Sequence, residues 1–375
     1  MSAFAQNGPP PMEQVERILI IKPSSLGDVV NALPFLTSLR QRYADRHVAW
    51  LVEEEAAELL LGHPFLDRVI VSGRRRWALE SLAPLRWPSA LREISGLMAE
   101  LRGGRYDLVV DLQGLMKSAL MLVFSGARFR VGFASAREGS RRVLTHLVPL
   151  PSRPMHAVDR YLEAARFLGA EPLSKAFVFP SRADDGMRAE ALLAKAGVGP
   201  GDPVIALNPR ARWRTKLWEE ERFARLGDML AERFGARILV IGSSSDLPLA
   251  NHLAARMHPA PFVAAGRTDL KLLIALLKRI DLLVTVDSGP MHLAAAVGTP
   301  LVALFGPTDP RLNGPYGSEG AVLRVPLPCS PCLKRRCQIR DDRLCMRSIS
   351  EEEVAAAASA ILATGNRCRT SRVLS

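Results

Sequence analysis

The 375-residue sequence predicts an α/β fold: two consecutive doubly wound parallel sheets, one per domain, facing a central cleft. Three observations carry this reading. Short, continuously apolar runs alternate with helical patterns from end to end, the signature of parallel strands buried on both faces. The alternation breaks once, at a polar stretch rich in Gly and Pro, and then restarts. The length also exceeds what a single core comfortably fills.

Arg17-Ile18-Leu19-Ile20-Ile21 reads as the first buried strand, followed by a helix over about Gly27 to Tyr43. His47 to Val52, Arg68 to Val71, Leu108 to Asp111 and Phe129 to Gly132 are further strands, with helical stretches between most of them. Pro180 to Asp185 is polar, and a helix through Met187 to Lys195 leads into Gly197-Val198-Gly199-Pro200-Gly201. Strands resume at Val204 to Leu207, then Arg237 to Ile241, Phe262 to Ala264, Leu282 to Val286 and Leu301 to Phe305. A last helix falls near Glu351 to Leu362, before a basic end at Asn366 to Ser375 expected to be disordered. The expected organisation is a flexible N-terminus over 1–15, domains over 16–185 and 186–350, and a helix with a basic tail over 351–375. No short-period repeat interrupts it.

Lys and Arg number 50 against 38 Asp and Glu, a formal net charge of +12. Such an excess points to an anionic partner: nucleic acid, a phospholipid surface or a phosphorylated substrate. The sequence has no helix-turn-helix, RNA-binding sheet signature or basic stripe interleaved with aromatics, and only four Tyr, which argues against nucleic acid. Its apolar runs are too short to span a bilayer, and Met1 to Glu16 has no apolar signal core. The expectation is a cytoplasmic protein whose five cysteines are mostly reduced.

The loop Lys22-Pro23-Ser24-Ser25-Leu26-Gly27-Asp28 sits where the first strand meets the first helix, the ligand edge of an open α/β sheet. Asp28 at a helix N-terminus is favoured as the carboxylate and can accept a proton from a hydroxyl. It can equally be a helix cap. The loop lacks G-x-G-x-x-G, which argues against a dinucleotide site.

Asn208-Pro209-Arg210-Ala211-Arg212-Trp213-Arg214-Thr215-Lys216-Leu217-Trp218 follows the first strand of the second domain. Four basic residues in seven positions suit a diphosphate, with Lys216 placed to neutralise a leaving group, or they form a solvated basic loop. In Thr285-Val286-Asp287-Ser288-Gly289-Pro290-Met291-His292 a buried strand ends and a helix begins at once. Backbone N–H groups there make an anion site. Asp287 suits a sugar hydroxyl and His292 a phosphate; a cap and a structural histidine are the plainer alternatives. Phe305-Gly306-Pro307-Thr308-Asp309-Pro310 is a strand-end turn placed to close the same pocket.

In the first domain Asp111-Leu112-Gln113-Gly114-Leu115-Met116-Lys117-Ser118 also joins a strand to a helix. Lys117, Arg74 and Arg137 are the basic groups assigned to an anionic acceptor, against the alternative of scattered solvated side chains. Cys329, Cys332, Cys337 and Cys345 lie in a Pro- and Arg-rich loop whose spacing fits neither a standard zinc nor a standard iron–sulfur pattern. No metal is assigned; the cluster is a weak candidate for one, and otherwise free thiols or a structural clasp.

Taken together, these segments resemble the ADP-heptose:lipopolysaccharide heptosyltransferases, the family 9 glycosyltransferases of GT-B fold with two Rossmann-like domains. The resemblance runs from Arg17 to Val354. It rests on Ser24-Ser25-Leu26-Gly27-Asp28, Asp111-Leu112-Gln113-Gly114, Asn208-Pro209, Lys216-x-Trp218, Asp287-Ser288-Gly289-Pro290-Met291-His292 and Phe305-Gly306-Pro307-Thr308 in that order. It implies an inverting single displacement with no required cofactor, Asp28 acting as general base and Lys216 as diphosphate ligand. It also implies donor contacts at Asn208, Arg212, Thr215, Asp287, Ser288, Gly289 and His292, and acceptor contacts at Ser25, Gly27, Lys117, Arg137 and Arg74. The donor would be ADP-heptose, and the acceptor Kdo-lipid A on the anionic cytoplasmic face of the inner membrane. Ser135-Ala136-Arg137-Glu138 is similar to heptosyltransferase I, whereas Pro328-Cys329-Ser330-Pro331-Cys332 resembles heptosyltransferase II-like members. Heptosyltransferase II, another family 9 transferase, and a non-catalytic sugar-nucleotide or lipid A binder are the alternatives.

Overall fold

The computed structural model describes residues 8–73, 87–172, 175–340 and 342–372, with backbone alone at 87–89 and 365–372. The chain divides into two compact units, 1–181 and 182–375. The division falls slightly before the expected boundary at 185. Arg182 already belongs to the second unit: its N–H donates to Asp185 and its guanidinium bonds Asp269 Oδ2 at 2.6 Å.

In the first unit the strands are β1 (Arg17–Ile21), β2 (His47–Glu53), β3 (Arg68–Ser72), β4 (Leu108–Asp111), β5 (Phe129–Phe133) and β6 (His146–Val148). The helices are α1 (Leu26–Arg42), α2 (Glu54–Ala57), α3 (Trp87–Gly103), α4 (Met116–Phe124) and α5 (Ala157–Phe167). All strands are parallel, in the order β3-β2-β1-β4-β5-β6. Ile18 to Ile21 are fully buried because helices cover both faces of the sheet. Leu97, Leu101, Met121 and Leu122 from α3 and α4 pack on Leu19, Ile21, Leu51 and Val109, and α1 packs along α5. Removing one such side chain to Ala costs about 2–5 kcal/mol. The N-terminal segment expected to be flexible over 1–15 turns once at Met12–Gln14 and buries Val15.

The second unit repeats the plan. Its strands are β7 (Val204–Asn208), β8 (Arg237–Val240), β9 (Phe262–Val263), β10 (Leu282–Val286), β11 (Leu301–Leu304) and β12 (Gly320–Leu323). Its helices are α6 (Asp185–Lys195), α7 (Glu220–Phe234), α8 (Leu247–Ala254), α9 (Leu270–Leu277), α10 (Gly289–Val297), α11 (Pro310–Asn313), α12 (Leu344–Arg347) and α13 (Glu351–Arg372). The sheet order is β12-β11-β10-β7-β8-β9, again all parallel. Phe223, Leu226 and Leu230 of α7, with Val354, Ala358 and Leu362 of α13, cover Ile205, Leu207, Val284 and Val302. The α13 backbone continues to Arg372 rather than ending near Leu362.

Chain order reverses between β1 and β4 in one sheet and between β7 and β10 in the other. Loops leaving the C-terminal ends of such neighbouring strands diverge, and ligands bind in the crevice they leave. The singled-out motifs follow β1, β4, β7 and β10.

Candidate active site

In the first unit the β1 loop turns into α1 through a reciprocal cap. Ser25 donates to Asp28 Oδ2 from its backbone N at 3.0 Å and from its Oγ at 2.8 Å. Asp28 therefore caps the helix, and its side chain stays one-third exposed. Its other oxygen faces Lys22 Nζ at 3.7 Å. Lys22 is only 2% exposed and also donates to Gln113 Oε1 at 3.3 Å. Burial works against its charge, yet the Asp28 carboxylate and the Tyr161 phenol hold its pKa above the ordinary lysine value. Gly27 is buried in the first helical turn.

Asp111 ends β4 and organises the next loop. Its Oδ1 accepts from Gln113 N and Gly114 N, at 2.9 and 3.0 Å, and its Oδ2 from Ser118 Oγ at 2.9 Å. Burial pushes the carboxyl upward against these hydrogen bonds. Gly114 has φ +67°, a conformation glycine adopts without steric cost. Its carbonyl accepts from Arg137 N at 2.9 Å, which ties the β4 loop to the β5 loop. The Arg137 side chain is exposed. Lys117 is partly buried: it donates to Ser24 Oγ at 2.6 Å and pairs with the buried Glu53 at 3.3 Å. Arg74 lies outside the described residues.

In the second unit three loops converge on one carboxylate. Lys216 Nζ, on the turn Arg214–Lys216, lies 2.6 Å from Asp287 Oδ2. Thr308 Oγ1 donates to the same oxygen at 2.5 Å. Lys216 also stands over the Trp213 ring, 4.8 Å from its centroid. Asp287 follows β10 directly, so Ser288 becomes the N-cap of α10 and Gly289 its first residue. Asn208 spans the reversal point: its Nδ2 donates to Thr285 Oγ1 at 2.8 Å and to Ser288 Oγ at 2.7 Å. His292 is buried in α10. Arg212 is exposed. Thr215 is buried, and its hydroxyl donates to Lys334 O at 2.8 Å. Arg210 reaches the β8 loop, pairing with Asp246 at 3.2 Å.

The cysteine segment packs onto these same loops. Leu333 N donates to Pro307 O at 2.8 Å and Ser330 Oγ to Gly306 O at 2.5 Å. Cys329, Cys332, Cys337 and Cys345 are free thiols. Burial, with the other three thiols nearby, pushes Cys345 upward. Among the described residues no three His, Cys, Asp or Glu side chains form a metal-holding group.

Chemically, the first unit offers a carboxylate beside a buried ammonium at an open edge. The second offers a lysine, a hydroxyl and a helix N-terminus around one buried carboxylate, which suits an anionic leaving group. Sequence reasoning passed over Lys22, Glu53 and Tyr161. The first two had a signal: Lys22 directly follows the apolar run Ile18 to Ile21, and Glu53 directly follows the apolar run Val48 to Val52.

The family model described as glycosyltransferase family 9 (heptosyltransferase) matches residues 94–341. The lipopolysaccharide heptosyltransferase 1 of Pseudomonas aeruginosa is 32% identical over 360 residues, covering 92% of this chain and 98% of its own length. The enzyme of that name from Escherichia coli K12 is 31% identical over 315 residues, covering 83% of this chain and 94% of its own. A family 9 glycosyltransferase structure from Veillonella parvula superposes with a TM-score of 0.76 at 27% identity, covering 93% of this chain and 97% of the other. The E. coli heptosyltransferase WaaC, solved with ADP-2-deoxy-2-fluoro heptose, gives 0.69 at 26% identity, covering 92% and 99%.

Proposed function

The chain belongs to glycosyltransferase family 9, the heptosyltransferases, and from that premise we propose that it adds the first heptose to Kdo-lipid A. It is a transferase of heptose to the lipopolysaccharide core. Identities of 32% and 31% to two type 1 enzymes support the choice of first heptose, against 30% to an E. coli type 3 enzyme and 26% to the E. coli type 2 enzyme.

Two observations carry the mechanism, each within its own unit: the partly exposed, capped Asp28 carboxylate of the first, and the Lys216–Asp287–Thr308 cluster of the second. Asp28 takes the proton of the acceptor hydroxyl as its oxygen attacks the anomeric carbon of the donor heptose. The bond from that carbon to the β-phosphate oxygen breaks on the opposite face, inverting the anomeric centre. ADP leaves with the electron pair. Lys216 and the N-terminus of α10 meet the charge that develops, a contribution worth several kcal/mol. Asp287 holds Lys216 in place, and Asn208 fixes the start of α10 through Ser288. No cofactor is needed in this scheme, because acid–base and electrostatic groups supply every step.

The reading includes peripheral attachment to the cytoplasmic face of the inner membrane. A net charge of +12 supports it. No helix among the described residues is long and apolar enough to cross a membrane. Purified protein given ADP-heptose and either Kdo-capped or singly heptosylated lipid A tests the acceptor. Mass gain on the first alone supports the proposal; mass gain on the second alone assigns the chain to the type 2 reaction.

A further inference from the structure

The α4 helix, Met-Lys-Ser-Ala-Leu-Met-Leu-Val-Phe, is apolar nearly all round, a composition expected of a fully buried helix. Yet only one side is buried: Ala119, Met121 and Leu122 pack into the core. On the other side Met116, Leu120, Val123 and Phe124 are 46%, 54%, 49% and 37% exposed. At 3.6 residues per turn these four fall within an arc of about 100°, one continuous apolar stripe facing water. Scattered apolar residues are normal on a protein surface, but a full helix face of them marks an interaction site.

The surroundings are basic. The turn Ser140–Val143 packs against α4 and carries Arg141 and Arg142, both exposed. Met116 Cε lies 3.7 Å from where a Cβ on Gly139 would stand, so this turn begins against the stripe. Beyond the other end of the helix, the exposed Arg102 lies over Gly126. An apolar stripe with arginines at both ends matches an anionic bilayer, whose acyl chains take the apolar side chains while its headgroups pair with the guanidinium groups. A second copy fits less well, since a two-fold contact sets the same patch, and hence like charges, against each other.

We infer that α4 is the membrane-docking surface of this enzyme, its Leu120–Val123–Phe124 face entering the interface of an anionic bilayer with Arg141 and Arg142 on the headgroups. The helix is about 13 Å long and lies along the surface rather than through it. This inference rests on the peripheral attachment proposed above, and it names the surface responsible.

The test compares full-length wild type with the triple variant Leu120→Gln/Val123→Gln/Phe124→Gln and with Arg141→Glu/Arg142→Glu. Co-sedimentation uses vesicles of phosphatidylglycerol and phosphatidylethanolamine, with phosphatidylcholine alone as comparison. The triple variant should partition on the order of tenfold or more weakly than wild type at all salt concentrations, because inserted apolar area sets much of such binding. The charge variant should lose binding most at low salt. Both should turn over a soluble, deacylated acceptor at the wild-type rate, which shows that they fold. Wild type failing to bind anionic vesicles would overturn the attachment reading and this one together. Wild type binding while the triple variant binds equally would overturn only the assignment to α4. Wild type sedimenting in free solution as a dimer, and the triple variant as a monomer with unchanged vesicle binding, would assign the face to a second copy instead.

Discussion

The Lys216 ammonium is held at 2.6 Å by the Asp287 carboxylate, on an oxygen that also accepts from Thr308. This one oxygen joins the loops that follow β7, β10 and β11. It places a cation beside the N-terminus of α10, where a diphosphate is favoured. Lys216→Met should lower kcat by about 10²- to 10³-fold, the usual consequence of losing a transition-state charge partner. Asp287→Asn should leave the charge in place but release its position, raising KM for ADP-heptose together with a smaller fall in kcat. Steady-state kinetics in the donor separates the two.

Lys22 gives a pH prediction. It is buried against Asp28, and its proton is held more tightly in the fold than in the unfolded chain. A raised lysine contributes stability that is fully present below its unfolded value of 10.5 and is lost as pH rises through the folded value. Titratable neighbours of the pair on other elements are Tyr161, Arg160 and Asp111. Lys22→Met removes a cation next to the proposed base, so the acid limb of the kcat/KM profile should move to higher pH. Lys22→Arg should restore most of the wild-type profile, and an unmoved acid limb in Lys22→Met would remove Lys22 from the account of the base.

Asp111 predicts the opposite of a surface carboxylate. Burial raises its pKa, so the folded state holds this proton more tightly, and the group's contribution falls as pH rises above 3.8. Asp111→Asn keeps the acceptor for Gln113 and Gly114 and turns its amide toward Ser118 Oγ. The variant should be at least as stable as wild type at pH 7 and lose that advantage toward pH 4, as read by urea unfolding. Asp111→Ala leaves two N–H groups without acceptors and should cost about 1–3 kcal/mol for each left unsatisfied.

His63 sets an acid limit on the first unit. Its Nδ1 accepts from Phe65 N at 3.1 Å, so Nε2 carries the hydrogen and donates to Val178 O at 3.0 Å. Burial lowers its pKa from 6.5, and the stability it contributes is present above that value and lost as pH falls through the folded one. His63→Gln should be less stable than wild type at pH 7.5, with the gap narrowing by pH 5 in thermal melts.

The sequence carried the architecture because each central strand is an unbroken apolar run: Ile18 to Ile21 and Val204 to Leu207 admit no other reading in that alternation. The outer strands were harder. His146–Val148 has only three residues, and Gly320–Leu323 is partly exposed, so neither stands out from the loops around it. At the candidate site the loops were legible because each follows a buried strand. The partnerships were not, since they depend on which loops the sheet order makes neighbours. Lys117 and Thr215 read as ligand groups, and the contacts of Lys117 with Glu53 and Ser24 and of Thr215 with Lys334 had no sequence signal. Arg210 lies in the basic loop after β7 and Asp246 in the turn after β8, and only the adjacency of these strands brings them together.

The most direct test of the central claim follows heptose transfer by wild type and Asp28→Asn, with ADP-heptose and Kdo-capped lipid A, by acceptor mass and ADP release. Donor binding is measured in parallel by calorimetry with ADP. The Asp28→Asn variant should bind ADP as wild type does while transfer falls by about 10²-fold or more, the scale of losing a general base. Transfer at the wild-type rate by the variant would contradict that role, and would return Asp28 to the single task of capping α1.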